Sequence, residues 1–366
     1  MTNPEFQGTR RGILTGGTWC VDHNRVIEFW PAEDAVAEIL SDEMQGGGSA
    51  CNLAIDIRKL DSDLPVETIG LVGDDSAGRF LLEQAELHGI RNSQLTVAKD
   101  TTTQFAEAYT SKLSGRRTHI YRAGASALLA PDDFDLAATT AKILHLGLPG
   151  VHKTMDQPYR DDPNGWVTVL RRARALGIVT NLELASVAPG RLVPLVLPCL
   201  PHLNLLIVND TEIGVLADRI TVIDGKTDVE ACIEAAQNIL ERGEMETVVV
   251  HFPVGAVAVT KDGRVAVHPS VNVPPEEIIG ANGAGDAFAA GFLYGYHENW
   301  SLERCLVLAH AAAAASLRSV STTGSMESWE TCLAYATRWG SRDQPLDRQA
   351  VSYARLYSPS TFSLRG

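Results

Sequence analysis

Gly283-Ala284-Gly285-Asp286 puts one carboxylate directly after three residues with almost no side chain, and an apolar run of helix formers continues from it to Gly291. The polar, proline-bearing stretch ahead of it, Val273-Pro274-Pro275-Glu276-Glu277, makes the junction a helix start. A helix start offers N–H groups with no intrahelical partner and the positive end of the peptide dipoles, so it attracts an anion such as phosphate. Side chains larger than methyl would keep that anion away. Asp286 then fits a general base that takes a proton from a hydroxyl, while the amides of Gly283, Ala284 and Gly285 stabilise charge on a phosphoryl group in transfer. A helix-capping carboxylate also accounts for Asp286, but not for the small residues beside it.

Asn282-Gly283-Ala284-Gly285-Asp286-Ala287-Phe288, with Gly291-Phe292 following, resembles the C-terminal signature of the ribokinase-like (PfkB) carbohydrate kinases. In that family the aspartate is the catalytic base and the small residues before it form the anion hole. The resemblance runs over roughly residues 12–335, with three weaker motifs in the right order. It implies an ATP-dependent kinase acting on a hydroxyl of a small sugar-like molecule with Mg²⁺, and it leaves open a monovalent cation and pairing of two copies through a β lid.

The elements around these residues agree. From residue 141 onward, short apolar runs (143–147, 178–182, 205–209, 247–251) alternate with helical stretches (165–176, 229–242). Buried strands alternating with helices imply an α/β fold, with a parallel sheet covered on both faces. The resemblance makes this a three-layer sandwich over residues 1–340, with a mostly parallel central sheet flanked by helices and a small β lid from segments near 22–45 and 101–125. Within the first segment it places one or two strands between Val26 and Ile39; within the second, runs on either side of Ser114-Gly115 read as a hairpin. The apolar period fades past Gly340, so 341–366 reads as a C-terminal extension.

Other candidate contacts lie at strand ends and glycine turns. Asp22 follows the strand-and-turn run Gly12 to Thr18, where open α/β sheets place ligand contacts, and the resemblance makes it a binder of substrate hydroxyls; a solvated loop acid fits it equally when taken alone. Gln45-Gly46-Gly47-Gly48-Ser49-Ala50-Cys51-Asn52 is a glycine run feeding a helix, and glycines let backbone approach a ligand closely. By resemblance Gly47, Gly48 and Asn52 hold the acceptor. Asn209-Asp210-Thr211-Glu212 resembles the family's Asn-x-x-Glu element; this assigns Asn209, Gly255 and Asn282 to the nucleotide and Glu212 to the metal. A helix cap explains Asn209 and Glu212 equally well. The loop at Thr322-Thr323-Gly324 is where the family can hold its monovalent cation.

Two departures stand out. No arginine follows Asn181-Leu182-Glu183-Leu184-Ala185, where sugar kinases often carry one, and of the usual Thr-x-Gly-x-x-Gly nucleotide loop only Gly255 remains. Asn282 also occurs in adenosine-kinase-like members, so a nucleoside kinase is the leading alternative; Trp19, Phe29 and Trp30 are candidates for its base pocket. A catalytically silent sugar-binding protein on the same fold is a third reading.

Composition narrows the classes. A net charge of −14 over 366 residues argues against a nucleic-acid backbone or an anionic membrane surface as partner. The six cysteines lack C-x-x-C spacing, Met1 to Arg11 has no apolar core of signal-peptide length, and no later run approaches the roughly 18 apolar residues of a membrane span, so the expectation is a cytoplasmic protein with free thiols. Gly73 and Gly78 have P-loop spacing, but Arg79-Phe80 stand where Lys and Ser/Thr are required. No G-x-G-x-x-G follows the first strand, which removes a dinucleotide-dependent dehydrogenase.

Overall fold

A computed structural model describes residues 9–185 and 187–345, and the expected extension at 341–366 lies outside them from residue 346 on. In chain order the elements are β1 (Ile13–Gly16), β2 (Cys20–Ile27), β3 (Ile39–Gly47), α1 (Ser49–Leu60), β4 (Val66–Gly73), α2 (Ser76–Leu87), β5 (Arg91–Ala98), β6 (Gln104–Ser111) and β7 (Arg117–Arg122). There follow β8 (Ile143–Leu146), α3 (Gly165–Ala175), β9 (Val179–Leu182), α4 (Pro189–Val196), β10 (Leu205–Asn209), α5 (Asp210–Ala217), a short hairpin of β11 (Val222–Ile223) and β12 (Lys226–Thr227), and α6 (Val229–Glu241). The chain closes with β13 (Thr247–Phe252), β14 (Gly255–Thr260), β15 (Val265–Pro269), α7 (Ala284–His297), α8 (Leu302–Ser316) and α9 (Trp329–Trp339).

Nine strands form the main sheet in the order β15-β14-β13-β10-β9-β8-β1-β4-β5. Every pairing from β13 to β5 is parallel, and only β14 and β15 run antiparallel at one edge. Strand side chains alternate between faces, and the two hydrophobic cores divide accordingly. Leu14, Leu206, Val208, Val248 and Val250 join the core under α3, α4, α5 and α6, whereas Ile13, Leu205, Ile207 and Val249 join the core under α1, α2, α7 and α8. Leu206 is fully buried, so cutting it to alanine would cost about 2–5 kcal/mol.

A second sheet has the order β3-β2-β6-β7, with β2 and β6 parallel and the outer pairs antiparallel. Its first strands lie at 20–27 and 39–47, on either side of the stretch where the resemblance set them; residues 28–38, mostly exposed, with Pro31 and the acidic Glu28, Glu33, Asp34 and Glu38, are the connection instead. The hairpin of β6 and β7 is as the sequence indicates, with Gly115 in the turn. No helix among the described residues is long and apolar enough to cross a membrane.

Candidate active site

Three segments distant in sequence meet at the start of α7. Gly283 is its N-cap with φ 78°, and a Cβ there would lie 2.5 Å from the Thr322 carbonyl oxygen, so only glycine makes this turn. No side chain caps the first amides of α7, which leaves those of Ala284, Gly285 and Asp286 available to a ligand. Gly285 is exposed and Asp286 half-buried. The Asp286 carboxylate accepts a hydrogen bond from Asn52 Nδ2 at 2.8 Å, and Asn52 Oδ1 accepts one from Thr322 Oγ1 at 3.1 Å. Asn52 stands one turn into α1, four residues after Gly48, the N-cap of that helix.

Burial raises the Asp286 carboxyl well above the usual carboxylate range; the neighbouring Glu183 carboxyl, within hydrogen-bonding reach, adds to the rise, and the bond from Asn52 opposes it. Burial likewise pushes Glu183 up to about 7. Behind Glu183, His145 Nε2 lies 2.5 Å from Glu183 Oε2, and His145 Nδ1 lies 2.9 Å from Asn181 Nδ2. His145 is fully buried, and burial lowers it to about 4, so the ring is neutral near pH 7. With the Asn181 amide donating to Nδ1, Nε2 carries the hydrogen and donates to Glu183.

Asp22 and Gly47 face each other on β2 and β3: a Cβ on Gly47 would fall 2.1 Å from Asp22 Oδ2. Cys20 Sγ donates to Asp22 Oδ1 at 3.4 Å, and both Asp22 and Asp286 act on the buried thiols of Cys20 and Cys51, whose pKa values are raised chiefly by burial. Asp22, Gly47, Gly48, Asn52 and Asp286 therefore form one neighbourhood at the junction of the two sheets.

On the other side of the α7 start lies a cavity of about 490 Å³, lined by Asn209, His251, Phe288, His310, Ala284 and Gly285 among others. Asn209 and Glu212 make a reciprocal capping box at α5: Glu212 N donates to Asn209 Oδ1 at 2.8 Å and Asn209 N to Glu212 Oε2 at 3.0 Å. Burial pushes the Glu212 carboxyl up to about 7. Gly255 and Asn282 are not on the cavity wall; Gly255 opens β14, packed against the His268 carbonyl, and Asn282 sits in the turn before α7. Among the described residues no group of three or more His, Cys, Asp or Glu side chains could hold a metal ion. In the loop after α8, Lys59 Nζ donates to the carbonyls of Thr323 at 2.7 Å and Gly324 at 3.2 Å, so an ammonium already answers those oxygens.

Glu183 and His145 enter the site without having been singled out as site residues, and Thr322, expected only in a cation-holding loop, joins it through Asn52. The signal for Glu183 was its place directly after β9, at the carboxyl ends of the parallel strands, where such sheets bind ligands. Trp19 is fully buried and donates from Nε1 to Thr68 Oγ1 at 2.7 Å, so it is a core residue; Phe29 and Trp30 are exposed.

Comparison with known proteins identifies the family and the fold. The chain is 26% identical over 293 residues to an adenosine kinase of Saccharomyces cerevisiae, covering 78% of this chain and 82% of that protein. It is 24% identical over 340 residues to a 5-dehydro-2-deoxygluconokinase of Geobacillus kaustophilus, covering 86% and 90%. The structure of Arabidopsis thaliana ribokinase complexed with ribose and ATP superposes with a TM-score of 0.72 at 20% identity, covering 89% of this chain and 99% of that one. The model of the pfkB family carbohydrate kinases matches residues 17–329, and with the helix start, the carboxylate and the two-sheet architecture in place, the chain belongs to that family.

Proposed function

We propose that this protein transfers the γ-phosphoryl group of ATP to a hydroxyl of a small sugar or sugar derivative. The observation that carries the reading is the bond from Asn52 to Asp286, because it ties the glycine-led helix on the acceptor side to the carboxylate beside the free amides of α7. Asp22, Gly47, Gly48 and Asn52 bound the acceptor; a carboxylate and an amide together can satisfy a diol, which both donates and accepts. Asp286 takes the proton of the attacking hydroxyl, and the first amides of α7 stabilise the phosphoryl group in flight, so catalysis is positioning plus electrostatics. The second sheet, next to the acceptor residues, serves as the lid that excludes water.

The nucleotide lies in the cavity between Asn209 and α8. Mg²⁺ would neutralise phosphate charge there, with Glu212, which stands behind Asn209 rather than on the cavity wall, as its protein partner through water, since that ion keeps several waters and needs few protein carboxylates. A half-buried carboxyl raised by desolvation fits such a place, because a nearby cation restores its ionised form.

A nucleoside acceptor is the second reading. Trp30, half exposed and packed edge-on against Tyr109 with ring centroids 5.9 Å apart, offers aromatic surface at the second sheet for a base, and relatives named adenosine kinase are among the similar proteins. ATP consumption measured against matched panels of sugars and nucleosides tests both: turnover confined to nucleosides overturns the sugar reading, and binding without turnover overturns phosphotransfer itself.

A further inference from the structure

We propose that Arg342, on the segment that follows α9, is a nucleotide-binding residue: it closes the side of the cavity that receives the base and lays its guanidinium plane on the purine. The inference rests on the phosphotransfer reading, which puts ATP in that cavity. Arg342 lines the cavity, and it is the one lysine or arginine among the described residues that does so. It lies beyond residues 17–329, so the family match assigns it no part. Gly340, at φ 72°, ends α9 and turns the chain back along the stretch after β15. Asn272 N donates to the Gly340 carbonyl at 2.9 Å, Val271 and Ser341 form an antiparallel bridge, and Arg342 N donates to the Ser270 carbonyl at 2.9 Å. Farther on, Pro345 sits over Gly255, where a Cβ would come within 2.9 Å of Pro345 Cγ. The backbone that carries Arg342 is thus pinned on both sides, and Gly255 is the seat of this segment.

The cavity wall combines two kinds of surface. Asn209, Thr211 and the first residues of α7, Ala284 and Gly285, offer polar groups and free amides, which suit phosphate. Val271, Val273 and Ala314 of α8 pack together as a small apolar cluster, and all three line the cavity, which suits a base. Arg342 is anchored beside Val271, so it belongs to the apolar surface. Its side chain is exposed and pairs with no carboxylate among the described residues, which leaves the flat guanidinium to stack on an aromatic face. The histidines of the wall do not take that part. Burial lowers His251 to about 4 and His310 to about 3, so both rings are neutral near pH 7, and each already packs against Phe288.

Calorimetric titration of the full chain and two variants with AMP, ADP and ATP, Mg²⁺ present, tests this. Arg342 is exposed, so Arg342→Met should fold as wild type does. It should weaken all three nucleotides by a similar factor, about five- to tenfold, because the base is common to them. Arg342→Lys keeps the charge but not the plane, and should recover only part of the loss. In turnover, the KM for ATP should rise by the same factor while kcat and the acceptor KM stay within about twofold, as for a contact made equally in ground and transition states. Affinities unchanged in Arg342→Met overturn the proposal. So does a loss that grows from AMP to ATP, or one that Arg342→Lys fully repairs, since either assigns a point charge to phosphate instead of a plane to the base. Wild type that binds none of the three nucleotides overturns the phosphotransfer reading itself, and the part given to Arg342 with it.

Discussion

Asn52 and Asp286, 234 residues apart in the chain, are joined by a 2.8 Å hydrogen bond. The bond ties together two helix starts, one led by Gly48 and the other by Gly283. Hydrogen bonds to charged groups contribute roughly 1.5–3 kcal/mol. Asn52→Leu, similar in size but without an amide, should therefore reduce kcat by about 10- to 100-fold at saturating ATP, while thermal stability falls little. Steady-state kinetics with the best acceptor measures this, and a kcat within twofold of wild type would separate Asn52 from the base.

Gly47 has a different use. An added Cβ would stand 2.1 Å from Asp22 Oδ2 and 2.4 Å from Asp22 Cγ, so Gly47→Ala must push the Asp22 carboxylate aside. The acceptor KM should rise by about tenfold or more, as loss of one charged contact implies, with nucleotide affinity unchanged. Calorimetric titration with nucleotide and with acceptor distinguishes the two; equal weakening of both would contradict the division of the site.

At Gly285, in the first turn of α7, the expectation differs from that at the Gly283 cap. A Cβ there meets nothing nearer than His251 Cε1 at 3.6 Å, an ordinary contact, so Gly285→Val should fold with nearly the stability of wild type. The branched side chain would nonetheless stand over the free amides of α7. Turnover should fall by roughly 10²–10³, the usual effect of losing a donor to developing charge. A folded, fully active Gly285→Val protein would show that no anion sits at this helix start.

His152, like His145, His251 and His310, adds to the loss of stability in acid. Its Nδ1 bonds the Ser126 carbonyl at 2.7 Å, its Nε2 bonds Thr18 Oγ1 at 2.8 Å, and burial lowers it from the ordinary histidine value to about 4. As pH falls below about 6.5 the unfolded chain takes up a proton that the folded chain refuses until about 4, so stability is lost across that window. The loss from this one group is about 2 kcal/mol at pH 5. His152→Gln should shrink the difference between denaturation midpoints at pH 7 and pH 5; an unchanged difference would place the acid sensitivity elsewhere.

Much of this was legible in the chain itself. Apolar runs at 205–209 and 247–251 could be read as buried parallel strands because both faces of the sheet are covered and polar residues have no place on either. The α7 start was legible because its constraint is local: small residues, then a carboxylate. Glu183 was not, since what gives it meaning is His145 on a neighbouring strand and Asp286 over a hundred residues on, and no spacing within one segment encodes that meeting. The first strands of the second sheet were misplaced for a related reason. Gly46 and Gly47 read as loop residues, yet they close β3 because pairing with Val21 and Cys20 outweighs their weak strand preference.

The central claim is that Asp286 takes the proton of the acceptor hydroxyl. Asp286→Asn keeps the size and a hydrogen-bonding oxygen for Asn52 but cannot serve as a base. The direct measurement is kcat of this variant beside calorimetric affinities for ATP and acceptor: the account predicts affinities close to wild type and turnover lower by about 10³ or more. Turnover within tenfold of wild type, with both ligands still bound, would contradict it.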